Sequence, residues 1–150
     1  MKTTLEICAG LPEREFAEGE DILVENHKSP SLFVLKEGAV EIVKKDTQVN
    51  VVSSPGSIFG EVSVLLGRAH MATVRALQPS TFIFIEDAQS FLQKNPEINL
   101  HIARLLALRL NSVTTYLVDL KQQFDSREDH LGMVDEVLES ILHHHENQEG

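Results

Sequence analysis

The chain has 150 residues, 42% of them hydrophobic, with one Cys, one Tyr and no Trp, which is enough for one domain with an aliphatic core and an appendage. Its 13 Lys and Arg stand against 23 Asp and Glu, a formal net charge of −10; such a surface argues against binding nucleic acid but leaves room for one small anion in a locally positive pocket. Cys8 alone excludes an internal disulfide framework, no apolar run approaches the roughly 18 residues of a membrane span, and MKTTLEICAG lacks a signal-peptide pattern, so a soluble cytoplasmic protein is expected.

Residues 1–18 carry a short helical pattern, with Leu5, Cys8 and Ala9 on one face. The texture then changes to short β-rich runs: Ile22–Val24, Leu32–Leu35, Val40–Val43, Val49–Val52, Ala72–Ala76 and Thr81–Ile85. Turn residues separate them at intervals of about 8–12 residues, the spacing of an antiparallel sandwich or barrel. In EGAVEIVKK, Val40 and Ile42 fall on one face and Glu41 and Val43 on the other, and Gly38 before them suits a tight hairpin turn. Asn26 is placed to take a left-handed turn conformation.

At residue 87 the period changes to helical, and Pro96 fits the first turn of the next helix. From Glu97 to Phe124 an apolar stripe runs through Ile98, Ile102, Leu105, Leu106, Leu110, Val113, Leu117, Leu120 and Phe124. At 1.5 Å per residue this helix is about 40 Å long. It outruns a small β domain, and pairing of two chains along residues 97–124 is the simple way to cover it. A final helix is expected over residues 127–145, capped by Asp125 or Ser126, with Leu131, Val134, Leu138 and Ile141 on its inner face.

The segment FGEVSVLLGRAHMATV, Phe59 to Val74, fits none of these patterns. Gly60 lets the backbone approach a ligand, and Glu61 opens a short helix, Val62 to Leu66, that Gly67 ends. Free backbone N–H groups at such a turn suit a phosphate, while a carboxylate there accepts hydrogen bonds from a sugar hydroxyl. A basic group, Arg68 or His70, then faces the anion.

This order resembles the phosphate-binding cassette of the cyclic-nucleotide-binding domain family, roughly F-G-E, an apolar turn, then R-x-A-T/S-V. Phe59-Gly60-Glu61, Ser63, Leu65-Leu66 and Ala72-Thr73-Val74 match it. GEDILVENHKSPSLFVLKEGAVEIV, residues 19–43, and SSPGSIFGE, residues 53–61, extend the resemblance, which covers residues from about 15 to 124. It implies an antiparallel, jelly-roll-like β-roll over residues 19–86, flanked by the N-terminal helical segment and by helices over residues 87–124. It also implies cyclic AMP or cyclic GMP as ligand, with a long C-helix closing over the base. The ligand residues it implies are Phe59, Gly60, Glu61, Val62, Ser63, Arg68, His70, Met71, Ala72 and Thr73, with Thr114 as the adenine contact; Glu61 takes the ribose.

His70 stands where the family has its phosphate-binding arginine. It offers at best one donor and a pH-dependent charge in place of a permanent bidentate fork. Met71 removes a hydroxyl that can bond the phosphate or a guanine, which favours cyclic AMP over cyclic GMP. The family's DNA-reading and kinase members carry attached domains, for which residues 125–150 leave no room, so a stand-alone sensor acting on an unidentified downstream protein is expected. The rival expectation is a ligand-free scaffold that binds a partner through its C-terminal helices. No catalytic set is visible, and the histidines, His143 to His145 included, do not converge as a metal enzyme requires.

Overall fold

A computed structural model of the protein describes residues 2–124 and 128–142. The chain opens with α1 (Thr4–Ile7), β1 (Glu13–Phe16), β2 (Asp21–Leu23), β3 (Leu32–Glu37), β4 (Val40–Lys44), β5 (Thr47–Val52) and β6 (Ile58–Phe59). It continues with α2 (Glu61–Leu66), β7 (Thr73–Ala76), β8 (Ser80–Ile85), α3 (Ala88–Lys94), α4 (Pro96–Gln123) and α5 (Glu128–Leu142). The strands form two four-stranded antiparallel sheets, ordered β1-β8-β3-β6 and β2-β7-β4-β5. This is the expected antiparallel β-roll together with several helices, one of them long.

One buried cluster joins the two sheets: Leu23 and Val74 from one, Phe33, Leu35, Phe59 and Phe82 from the other, among others. The expectation of an aliphatic core is corrected here. Phe16, Phe33 and Phe59 each set a ring edge-on to Phe82, at centroid distances of 5.6, 6.1 and 6.0 Å, and Phe84 lies 5.2 Å from Phe33. Aromatics are few in the sequence, but the roll gathers them in its centre, where edge-to-face pairs add to area burial. The unbroken run Leu32 to Leu35 is buried throughout because β3 is covered on both faces. Phe33 and Leu35 enter the inter-sheet core, while α1 packs against the strand.

Three further expectations are corrected. Residues 1–18 are not all helical: α1 stops at Ile7, Gly10 takes φ 85°, and Glu13–Phe16 pairs with β8 as an edge strand that turns Phe16 to the core. Gly38 does not close a hairpin, because β3 and β4 lie in different sheets. It carries the chain between sheets at φ 118°, where a Cβ would stand 2.2 Å from Ser80 Oγ. The alternation of β4 breaks at a register shift between Ile42 and Val43, so Val40 and Val43 are both buried.

Two compact units divide the chain, Met1–Ile102 and Ala103–Gly150, and the first takes in the β-roll, α3 and the start of α4. In that unit Asp87 caps α3 by accepting from the Ser90 N–H at 3.2 Å, and Ile98 and Ile102 are buried. In the second unit Lys121 of α4 pairs with Asp135 of α5, Val134 is buried, and Leu138 and Ile141 are half-buried. The expected caps Asp125 and Ser126, the side chain of Leu131 and His143 to His145 lie outside the described residues. Among the described residues no helix is long and apolar enough to cross a membrane.

Candidate functional site

Residues 59–74 leave β6, make α2 and return as β7. Gly60 turns the chain at φ 96°, and a Cβ there would stand 2.8 Å from the Ser31 carbonyl oxygen, so close packing of backbone on backbone also demands glycine. Gly67 ends α2 at φ 64°, its N–H donating to the Ser63 carbonyl at 2.9 Å.

The loop between β2 and β3 is bound to this segment by four hydrogen bonds. The His70 N–H donates to the His27 carbonyl at 2.8 Å, and the Asn26 N–H donates to the His70 carbonyl at 3.0 Å. Thr73 Oγ1 accepts from the Glu25 N–H at 3.0 Å, and Ser63 Oγ accepts from the Ser29 N–H at 3.2 Å. Asn26 takes φ 70°, as its residue type permits. The loop is itself tied to the start of α3: the Ser31 hydroxyl donates to the Glu86 carbonyl at 2.8 Å and the Ala88 N–H to the Pro30 carbonyl at 3.0 Å.

Glu61 and His70 end up buried, with 5% and 6% of their surfaces exposed. Burial pushes the His70 imidazole below its ordinary range, the Glu61 carboxylate opposes this, and His27 adds to it. The imidazole makes no hydrogen bond among the described residues. The structure thus brings Gly60, Glu61, Ser63, His70 and Thr73 together against residues 25–31. Phe59 spends its ring on Phe82 in the core. Val62 and Ala72 are half-buried, whereas Arg68 and Met71 are exposed and do not join the buried set. Thr114 is half-buried in the part of α4 that belongs to the second unit. Glu25, His27, Ser29 and Ser31 were not singled out as site residues; the left-handed Asn26 was the one signal that this loop is held in a fixed shape. Among the described residues no three His, Cys, Asp or Glu are placed to hold a metal ion.

The chain is 34% identical over 73 residues to a cAMP-dependent protein kinase regulatory subunit of Yarrowia lipolytica, covering 49% of this chain and 19% of that protein. It therefore spans only a small part of this curated relative. Its fold superposes on the catabolite activator protein of Thermus thermophilus with a TM-score of 0.67 at 21% identity, covering 77% of this chain and 57% of that one. A protein from work on a cyclic-GMP-dependent signalling pathway in bacterial phytopathogenesis gives a TM-score of 0.62 at 23% identity, over 75% of this chain and 95% of that one. The family model for the cyclic nucleotide-binding domain matches residues 13–94, more than half of the chain. With the two-sheet roll, the αL glycines around α2 and the buried Glu61 all in place, the chain belongs to the cyclic nucleotide-binding domain family.

Proposed function

We propose that this domain binds a cyclic mononucleotide against residues Gly60–Thr73, cyclic AMP in preference to cyclic GMP, and passes the event through α4 to a partner protein. Glu61 accepts from a ribose hydroxyl, and His70, protonated on binding, meets the cyclic phosphate. One observation carries the reading: Glu61 and His70 are both buried, and the Glu61 carboxylate acts on the His70 ring. A fixed acid beside a ring that can gain a proton, in a water-poor place, suits a ribose phosphate. The choice of cyclic AMP is supported by the sequence alone, in which position 71 is a Met with no hydroxyl for a phosphate or a guanine. Pairing of two copies along residues 97–124 belongs to the same proposal and draws its support from the exposed Leu110 and Val113.

Calorimetric titration tests the reading. Wild-type protein binds cyclic AMP more tightly than cyclic GMP at pH 6, and Glu61→Gln weakens cyclic AMP roughly tenfold while hardly affecting its 2′-deoxy analogue. Equal losses for both ligands give Glu61 a structural role instead. A second reading, the ligand-free scaffold, has its own observation: the Ser63 and Thr73 hydroxyl oxygens each accept from a backbone N–H of residues 25–31, and Gly60 packs on the Ser31 carbonyl. That reading prevails if neither wild-type protein nor His70→Arg binds any cyclic nucleotide.

A further inference from the structure

A cavity of about 250 Å³ lies where β1, the loop after β2 and β8 meet, and residues of the Glu61 set other than His70 do not line it. Arg14, His27, Lys28 and His70 contribute its polar wall, and Phe33 and Phe84 are part of its apolar wall. No carboxylate lines it. In a chain with 23 acidic residues against 13 Lys and Arg, two permanent cations, Arg14 and Lys28, beside two histidines around one cavity without an acid is a local reversal of charge.

The basic groups are also unspent. Neither Arg14 nor Lys28 makes an ion pair among the described residues. Arg14 instead lays its guanidinium 3.7 Å above the Phe84 ring centre, which fixes its plane and leaves its N–H edge for a partner. His70, nine-tenths buried, reaches the cavity with a ring that makes no hydrogen bond among the described residues.

We propose that this cavity is a second binding site, separate from the Glu61 side of His70, for a small organic anion. Its phosphate or carboxylate head is held by Arg14, His27 and Lys28, with His70 beneath, and its apolar body rests on Phe33 and the neighbouring Ile22 and Leu23. The volume suits a compact molecule, since pockets for drug-sized ligands begin at about 300 Å³. Glu61, whose carboxylate acts on His70, does not line the cavity.

The imidazole resonances of His27 and His70 in the full chain provide the test, with phenyl phosphate, benzoate and inorganic phosphate as probes. Phenyl phosphate is expected to shift both rings saturably, and benzoate reads whether the head can be a carboxylate. Inorganic phosphate, lacking the apolar body, binds at least about tenfold more weakly. Arg14→Ser and Lys28→Ser each weaken phenyl phosphate roughly tenfold, as expected for a lost charge-assisted bond. Lys28 is an exposed loop residue, so its variant keeps the test independent of the Arg14 stacking. Arg14→Ser and Lys28→Ser leave the affinity for cyclic AMP unchanged, which separates this site from the proposed nucleotide site. The inference is overturned if neither phenyl phosphate nor benzoate gives a saturable shift, if the shift survives both serine variants, or if inorganic phosphate binds as well as phenyl phosphate.

Discussion

The β-roll and the second half of α4 are built from equally regular apolar patterns, yet only one of them closes on itself. In the roll, Leu35, Val40 and Phe82 have no exposed surface. Along α4, Leu110 and Val113 are 49% and 48% exposed, and Leu108 is 66% exposed. Two facing sheets enclose the side chains between them, whereas one helix needs another surface for its stripe. The roll therefore carries its stability within itself, and the helix face keeps apolar area available for association.

The sharpest way to break this contrast is to cut both regions back to alanine. Phe82→Ala removes the ring on which Phe16, Phe33 and Phe59 converge. It is expected to cost about 3–5 kcal/mol in urea unfolding. Leu110→Ala is expected to cost under about 1 kcal/mol at high dilution, where chains are apart. Equal losses would make the helix face a core in its own right. A backbone test comes next in size. Gly60→Ala meets the Ser31 carbonyl at 2.8 Å in a left-handed conformation and is expected to cost about 1–3 kcal/mol, while Gly67→Ala, with nothing within 4 Å of its Cβ, costs less. Leu110→Glu combined with Leu117→Glu places charge on the α4 face within the second unit. Sedimentation is expected to show roughly a tenfold or greater rise in the dissociation constant of the proposed dimer, with the melting of the roll nearly unchanged. A wild type that is already monomeric at high concentration removes the dimer.

How far the sequence could be read follows the same division. Six strands and the run of α4 were legible because periodicity reports burial directly. Glu13–Phe16 and Ile58–Phe59 were not, since strands of four and two residues are too short to show a period and are fixed by partners far along the chain. Gly38 was legible as a special position, but not as a crossing between sheets, because its reason is Ser80, distant in sequence. At the site, Gly60, Glu61 and Gly67 carry their chemistry in their residue types. The part played by residues 25–31 is made of backbone N–H and carbonyl groups, which every residue type possesses, so no pattern of side chains announces it.

The smallest expected effect is also the most specific to this chain, because two opposite pH slopes should come from one ring. Free His70 is held below the usual histidine value of 6.5 by burial, with Glu61 opposing and His27 assisting. The unfolded chain therefore takes up a proton at this position at a higher pH than the folded one. Stability from His70 is fully present above about pH 6.5 and is lost as pH falls from there towards the folded value. Ligand affinity should run the other way. If the imidazolium meets a phosphate, the bound ring titrates higher than the free one, binding takes up a proton, and cyclic AMP binds more weakly as pH rises from about 6 to 8. Urea unfolding read at pH 7.5 and 5.5, together with titrations in buffers of different ionisation enthalpy, measures both slopes. His70→Gln is expected to flatten each of them, and His70→Arg to flatten the affinity slope while tightening binding. Affinity that is level with pH, with no proton taken up in the wild type, would leave His70 a packing residue and assign the anion to the backbone alone.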